Sequence, residues 1–359
     1  MAKTVTILGA GPAGLTAAIV LQKAGYQALV YEKNRDVGRV FYGDLQGLEN
    51  WSENLDVLAE FEALGLAINF DYTPFSALTV FNGEKVWPFS CDRPGFYLIR
   101  RGAMVGSLDH GLKEQALAAG ATILFNQSLA AAKADIVASG PIVSHRFATD
   151  LGIVFKTSLP DSAYGLVNDQ AAYKGYAYLL AAKGYGCLCT VLFDNFSEVH
   201  RCLAETERIF RKFVDFDMED PKKVGGMGGF LLVPVFEKEH RLMVGEAAGL
   251  QDMLWGFGIR TAVASGALAA QSIISGTSYQ EAARRRFLSK QKAGFVNRYL
   301  WETFGRNNYS HIMDRIDHCG DHRKFFHDFY NLNLLHRLAY PFAFHSLKKR
   351  YNLLSDDVQ

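Results

Sequence analysis

The stretch that decides the fold is residues 3–33, KTVTILGAGPAGLTAAIVLQKAGYQALVYEK. An apolar run from Val5 to Leu8 predicts a buried strand, an alanine-rich run from about Leu15 to Ala24 predicts a helix, and a second strand is expected to end at Glu32. The turn between the first strand and the helix has the glycine spacing GxGxxG. This order of elements, from a strand through a glycine-rich turn and a helix to a second strand that ends in an acid, predicts a dinucleotide-binding βαβ unit.

Each of the three glycines of this turn has an expected physical role. Gly9 permits the tight turn, Gly11 lets the backbone approach a pyrophosphate, and Gly14 lets the helix pack closely on the strand. Glu32 can accept hydrogen bonds from ribose hydroxyls and would repel a 2′-phosphate, so the site is predicted for FAD or NAD and not for NADP. The candidate cofactor-binding set of this segment also includes Pro12, Ala13, Lys33 and Arg39.

A second glycine-rich loop distinguishes FAD from NAD. Residues 244–260, VGEAAGLQDMLWGFGIR, follow a short predicted strand at about 242–244, and a helix is predicted from about Gly258. Glu246 can accept hydrogen bonds from ribityl hydroxyls, and the helix N-terminus would stabilise negative charge on the pyrimidine end of a reduced flavin. So many glycines indicate that the backbone approaches a non-protein group, inferred to be a flat isoalloxazine ring. FAD is therefore predicted, with candidate contacts at Gly245, Glu246, Gly249, Gly256, Phe257, Gly258 and Ile259.

The two loops resemble those of the flavoprotein superfamily of para-hydroxybenzoate hydroxylase, and within it most resemble geranylgeranyl reductases and related FAD-dependent oxidoreductases. The second motif of that group runs close to GDAAGxxxPxxGxGIxxAxxSGxxAA, and this chain keeps its register from Gly245 to Ala270 without a gap. The resemblance covers roughly residues 4 to 285. It implies an α/β fold with a Rossmann-like FAD-binding domain, and hydride transfer through the flavin.

Departures from the group's pattern bear on the substrate and the chemistry. Met253 replaces a usual proline, Trp255 a small residue and Phe257 often an acid, so the rim over the flavin is expected to be unusually apolar. An apolar substrate, such as a prenyl or other unsaturated chain, is predicted. The reductases' cysteine along the flavin corresponds most nearly to Tyr42, beside Asp44.

Further candidate site residues lie between the two loops. The resemblance matches Arg101, with Arg100 as second choice, to an arginine that contacts the cofactor at the start of a helix. The stretch YKGYAYLL resembles the reductases' substrate-facing aromatic strand, and alternation would direct Tyr176 and Tyr178 to one face. An ordinary aromatic sheet face is the alternative interpretation. The candidate proton donors, which the resemblance assigns to the flavin face, are Tyr42, Asp44, Tyr176 and Tyr178.

The resemblance and the strand pattern together predict the domain organisation. The FAD-binding domain is assembled from residues 1–72, 98–158 and 225–285, an inserted and mainly antiparallel substrate domain from 73–97 and 159–224, and a helical C-terminal region from 286–359. The GGMGGF segment at 225–230 is interpreted as a hinge. A ligand pocket is expected at the boundary between the first two domains.

Composition excludes several classes of protein. With 359 residues, 49% of them hydrophobic, and a formal net charge of +1, the chain is neither a disordered tail nor a nucleic-acid-binding polycation. Five scattered cysteines and the absence of a secretory-type opening predict a cytoplasmic setting. The aromatic and basic segment 329–354 predicts either peripheral contact with an anionic membrane or packing on the protein's own core. No metal site is predicted, because Gly320 interrupts the helical spacing of His318 and His322.

The predicted function is that of an FAD-dependent oxidoreductase that transfers hydride between the flavin and an apolar small molecule or lipid. The sequence has no second dinucleotide loop and no Fe–S cysteine set, so electrons would come from a nicotinamide, a ferredoxin-like partner or the substrate itself. Two alternatives stay open. One is a flavin monooxygenase acting on an apolar or aromatic substrate, and the other is a non-catalytic lipid carrier that keeps the flavin fold.

Overall fold

The computed structural model describes residues 3–141, 146–305 and 308–351. The strands are β1 (Thr4–Leu8), β2 (Gln27–Glu32), β3 (Leu45–Glu49), β4 (Tyr72–Phe75), β5 (Ala77–Phe81), β6 (Val86–Ser90), β7 (Phe96–Arg100), β8 (Thr122–Phe125), β9 (Ile136–Val137), β10 (Arg146–Lys156), β11 (Ser162–Leu166), β12 (Tyr176–Ala182), β13 (Tyr185–Leu192), β14 (Glu219–Gly229), β15 (Glu237–Lys238) and β16 (Arg241–Met243). The helices are α1 (Pro12–Lys23), α2 (Val57–Ala63), α3 (Leu108–Ala118), α4 (Val199–Phe213), α5 (Ile259–Ser275), α6 (Tyr279–Phe304), α7 (Ser310–Asp317), α8 (His322–Tyr330) and α9 (Leu334–Tyr351).

The first sheet confirms the predicted βαβ unit. Its strand order is β15-β16-β9-β1-β2-β8, and all neighbours pair in parallel except the edge pair β15-β16. Helix α1, which crosses from β1 to β2, begins at Pro12 and not at the predicted Leu15. Proline suits the first helical position because its missing N–H would have no partner there. The turn before α1 therefore lies at the carboxyl edge of the sheet, where such folds bind ligands.

Small residues let α5 lie across α1. A Cβ on Gly266 would come within 2.1 Å of the carbonyl oxygen of Ala13, so no larger residue fits between the two helices. Gly245, at the start of the second loop, also packs against Ala13, with 3.3 Å between its ideal Cβ position and the Ala13 Cβ. This packing holds the two glycine-rich loops next to each other.

The second sheet is larger than the sequence suggested. Its order is β14-β10-β13-β12-β11-β5-β6, antiparallel apart from the parallel pair β11-β5. Residues 146–156 and 219–229 belong to this sheet, whereas the predicted boundaries assigned 146–158 and 225–229 to the cofactor domain. The reason is that β10 pairs along its length with both β13 and β14. The glycine-rich segment 225–229 is consequently the end of a strand and not a hinge.

A third sheet has three strands in the order β3-β7-β4, and helices form the C-terminal region. Helix α6 begins at Tyr279, seven residues before the predicted boundary, and runs for 26 residues. His318 directly follows α7, and His322 is the first residue of α8, so these two histidines do not share a helix face.

Candidate functional site

In the first glycine-rich turn, the middle glycine has free space where a side chain would be, whereas the glycines on either side of it have none. Gly9 has φ +102°, and a Cβ there would lie 2.3 Å from the carbonyl oxygen of Ala138. A Cβ on Gly14 would lie 2.0 Å from the carbonyl oxygen of Gly9. A Cβ on Gly11 would meet no atom within 4 Å. The space in front of Gly11, at the N-terminus of α1, is therefore a cradle that fits a pyrophosphate group.

Glu32 lies at the end of β2, beside this turn, and is buried. Its carboxylate accepts hydrogen bonds from the backbone N–H groups of Ala10, at 3.0 Å, and Asn34, at 2.9 Å. These bonds fix the acid where a ribose could be bound. Lys33 is exposed and Arg39 is partly buried, and no side-chain hydrogen bond or ion pair joins either to another described residue. Both cations are thus available to a ligand.

The second glycine-rich loop is fixed from several sides. The Gly245 N–H donates to Ser265 Oγ of α5 at 2.9 Å. Gly258 is the residue before α5, and Ile259 is its first residue. The ring of Phe257 covers Gly47 of β3 and packs edge-on against Trp51 at 4.9 Å between ring centroids. The remaining loop glycines pack closely, Gly249 against Leu231 and Gly256 near the hydroxyl of Tyr176.

The predicted rim residues of this loop have different surroundings. Met253 is fully buried and packs in a core cluster that includes Phe295 of α6. Trp255, by contrast, packs on Tyr176 at 5.3 Å between ring centroids. Gln251 donates to the carbonyl of Gly256 at 2.9 Å, while its own buried Oε1 has no partner among the described residues. This unpaired acceptor fits a site that holds a polar ligand.

Arg298 of α6 holds the same loop and was not among the residues predicted from the sequence. Its guanidinium donates to the carbonyls of Met253 at 2.9 Å, Leu254 at 2.7 Å and Lys174 at 2.6 Å. It is fully buried, stacks over the ring of Phe193 at 3.6 Å, and has a pKa lowered by burial. The available signal was a lone arginine within the apolar run AGFVNRYLW.

Arg101 has protein partners on each side of its guanidinium. It binds buried Asp109 through two hydrogen bonds, at 2.8 and 2.9 Å, and donates to Gln46 Oε1 at 2.8 Å. Its cation also stacks over the ring of Phe41 at 4.3 Å. Arg100, the second choice, pairs with Asp71 instead. A contact between Arg101 and the cofactor stays a prediction, and the observed partners fix the turn that leads into α3.

One face of the seven-stranded sheet carries the aromatic residues of the predicted substrate strand. Tyr176 and Tyr178 share this face, with ring centroids 6.3 Å apart. Strand pairing aligns Tyr178 with Cys189 on β13, and it aligns Tyr176 with Val191, which in turn pairs with Asp150 on β10. Directly paired residues of antiparallel strands point to the same side. Asp150, which was not predicted from the sequence as a site residue, therefore shares the face of the two tyrosines.

Asp150 of β10 interacts electrostatically with two other carboxyl groups, those of Asp44, just before β3, and of Glu246, in the second glycine-rich loop. We call Asp44, Asp150 and Glu246 the acidic cluster. Burial raises the pKa of Asp150 to about 6, and the charge of Asp44 adds to this rise. Burial also raises the pKa of Glu246 to about 7 and that of Asp44 above its ordinary range, while Arg101 opposes both shifts. The cluster can hold protons near neutral pH.

The other candidate proton donors are placed differently. Tyr42 is 53% exposed, and only its backbone N–H reaches the cluster, donating to Asp44 Oδ1 at 2.7 Å. The Tyr176 hydroxyl donates to the carbonyl of Trp255 in the second loop. Tyr178 lies beside Cys189 and near Asp150, and its pKa is raised by burial. The structure thus brings together Asp44, Tyr178 and the newly identified Asp150, but not the side chain of Tyr42.

The fold thus combines a Rossmann-like sheet, two apposed glycine-rich loops and a mainly antiparallel second sheet. Residues 7–59 match the family model of the NAD(P)-binding Rossmann-like domain. The chain is similar to notoamide E oxidase of Aspergillus versicolor, with 36% identity over 115 residues. That alignment covers 30% of this chain and 24% of the relative, so it spans about a quarter of the relative's length.

Solved structures match almost the whole chain. A geranylgeranyl bacteriochlorophyll reductase-like protein from Thermoplasma acidophilum superimposes with a TM-score of 0.69 at 17% identity, covering 97% of this chain and 100% of the other. A flavin-dependent brominase does so with a TM-score of 0.67 at 16% identity, covering 98% and 99%. At these identities the likeness concerns the fold. The predicted α/β fold, with a Rossmann-like domain, a mainly antiparallel sheet and C-terminal helices, is confirmed.

Proposed function

We propose that this chain binds FAD and transfers hydride between the flavin and an apolar substrate, such as a prenyl or other unsaturated chain. The observation that carries the proposal is the acidic cluster, because Asp150 shares a sheet face with Tyr176 and Tyr178 and Glu246 belongs to the second glycine-rich loop. The bound flavin would supply the redox chemistry, and the protein would supply binding, orientation and protons.

The cofactor would be held by both loops. Gly11 and the N-terminus of α1 would bind the pyrophosphate, and Glu32 the ribose hydroxyls. Glu246 would accept from the ribityl chain, while Gly258 and the N-terminus of α5 would face the pyrimidine end of the ring. Additional contacts are proposed for Pro12, Lys33, Arg39, Arg101, Gly245, Gly249, Gly256, Phe257 and Ile259. Ala13 would contribute by packing α1 on α5.

The proton that accompanies hydride transfer to a carbon–carbon double bond would come from the acidic cluster. Asp150 is the strongest candidate because it is on a central strand and its pKa of about 6 leaves a protonated fraction near neutrality. Asp44 and Tyr178 are the alternatives from the same face. Tyr42 and Tyr176 would have structural roles and would not donate the proton. Tyr42 is exposed at the surface, and the Tyr176 hydroxyl donates to the carbonyl of Trp255.

The supply of electrons is a separate part of the proposal. A nicotinamide that docks transiently, or a ferredoxin-like partner, would reduce the flavin. The peripheral membrane contact predicted from the C-terminal sequence fits an apolar substrate, which would arrive from a lipid phase.

Anaerobic flavin reoxidation tests the proposal. The FAD-loaded protein is reduced with dithionite and mixed with prenyl chains of several lengths, while the flavin absorbance and the saturated product are followed. We expect reoxidation with saturation of one double bond. Asp150→Asn should slow this step and change its pH profile, whereas the matched control Asp215→Asn, an exposed residue of the same type, should not. If no apolar acceptor reoxidises the flavin, the hydride-transfer proposal fails.

A flavin monooxygenase is the second candidate, and the similarity to an oxidase and to a flavin-dependent brominase favours keeping it. Its signature would be oxygen consumption coupled to the appearance of an oxygenated product. Anaerobic reoxidation by a substrate would exclude it as the main activity, and would equally exclude a non-catalytic carrier.

A further inference from the structure

Helix α9 is firmly attached to the protein through one face. His336, Ala343 and Leu347 are buried on this side, and His336 Nε2 lies 2.9 Å from Asn297 Oδ1 of α6. At its C-terminal end, Arg350 pairs with Asp194 at 2.8 Å. The orientation of the helix is therefore set by buried contacts on this face.

That opposite face carries large apolar side chains in the open. Leu334, Leu335, Leu338 and Phe342 are 72%, 76%, 64% and 68% exposed, and we call these four residues the α9 stripe. Their spacing of one, four and eight residues from Leu334 puts them on one side of a helix. Single exposed leucines are common on protein surfaces, but a contiguous row of four marks an interaction surface.

The charge of α9 indicates what this surface meets. Its sequence, LLHRLAYPFAFHSLKKRY, contains no acidic residue. Arg337, Lys348 and Lys349 are exposed, and none of them forms an ion pair with another residue in the part of the chain that the structure describes. Lys349 lies seven residues after Phe342, two helical turns further along the same face. The stripe thus passes directly into a basic end.

We propose that the α9 stripe and its basic end dock on the surface of an anionic lipid bilayer, with α9 lying in the interface. An exposed helix that is apolar at one end, basic at the other and free of acids has the features of such an anchor. The exposed, acid-free basic end is complementary to anionic head groups, which favours a bilayer over a second copy of this chain as the occupant. None of the described helices is long and apolar enough to cross a bilayer. The proposal does not depend on the redox chemistry.

Vesicle co-sedimentation of the full-length, FAD-loaded protein tests this surface. The vesicles contain phosphatidylcholine alone, or phosphatidylcholine with about one third phosphatidylserine. We expect binding to the anionic vesicles that decreases with added salt, and little binding to phosphatidylcholine alone. Leu338→Ser with Phe342→Ser should weaken binding by more than about tenfold, since each apolar side chain loses its burial in lipid. Lys348→Gln with Lys349→Gln should weaken it by about fivefold per charge.

Matched variants away from α9 serve as controls. Leu117→Ser on α3 and Lys212→Gln at the end of α4 also alter exposed residues, and should leave binding unchanged. Thermal unfolding and bound FAD should be the same in all variants. The proposal is overturned if the wild-type protein binds neither vesicle, or if the α9 variants bind as well as the wild type. It is also overturned if sedimentation velocity shows a dimer that the α9 substitutions dissociate, because a second copy then covers the stripe.

Discussion

Alanine substitutions at Gly11 and Gly14 should separate cofactor binding from folding. The two glycines are three residues apart in one turn, yet a Cβ would be 2.0 Å from a backbone oxygen at Gly14 and free of any atom within 4 Å at Gly11. Gly14→Ala forces the helix and strand apart, because the nearest atom is backbone and cannot rotate away. We expect a loss of about 3 kcal/mol or more in the free energy of unfolding, at the upper end of overpacking costs.

Gly11→Ala should instead leave the apo protein stable. The backbone of Gly11 has φ −81° and ψ −179°, which alanine adopts without strain. The expected change in apo stability is below about 1 kcal/mol. A methyl group in the open cradle would block the approach of a phosphate to the backbone N–H groups. Loss of two charge-assisted hydrogen bonds, about 1.5 kcal/mol each, weakens FAD binding by roughly a hundredfold.

The assay pairs urea unfolding of the apo proteins with FAD titration followed by flavin fluorescence. The reasoning is refuted if Gly11→Ala binds FAD with wild-type affinity, because the cradle then does not face the cofactor. It is equally refuted if Gly14→Ala unfolds at the wild-type urea concentration.

Three further substitutions test the rest of the site. Asp150→Asn should remove a pH dependence of the free energy of unfolding. The folded-state pKa of Asp150, about 6, lies above the ordinary value of 3.8, so the wild type loses about 1–3 kcal/mol of stability as pH rises through this window. Urea unfolding at several pH values should show that the variant is more stable than the wild type by that amount above pH 6. Arg298→Met should lower the free energy of unfolding by about 3 kcal/mol, since buried loop carbonyls lose their donor, and FAD release should quicken in a stopped-flow experiment. Tyr176→Phe should cost about 1 kcal/mol by leaving the Trp255 carbonyl unpaired, while the pH profile of turnover stays unchanged because that hydroxyl is already engaged.

The cofactor half of the fold could be predicted from local sequence because its signals are local. Gly9, Gly11, Gly14 and Glu32 lie within 24 residues, and the strand, turn and helix between them follow from hydrophobic periodicity and glycine sterics. The open cradle at Gly11 and the two closed positions around it correspond to the roles that the spacing predicted.

The acidic cluster could not be predicted in the same way, because long-range strand pairing creates it. Asp150 faces the site only because β10 pairs with β13 in one register, and a shift of one residue would turn it to the other side. Arg298 is comparable, since its partners at Lys174 and Met253 are far away in the chain. The place of Met253 at the rim stays a prediction, because the motif fixes its position in the loop but not the direction of its side chain.

The central claim is that both glycine-rich loops hold FAD, and the visible absorption spectrum of the purified protein tests it most directly. The cofactor is released by heat and identified by its mass. We predict a flavin spectrum and release of FAD, with loss of the colour in Gly11→Ala and retention in a matched surface variant such as Asp215→Asn. A colourless protein that cannot be reconstituted with FAD, although its unfolding is cooperative, would contradict the account.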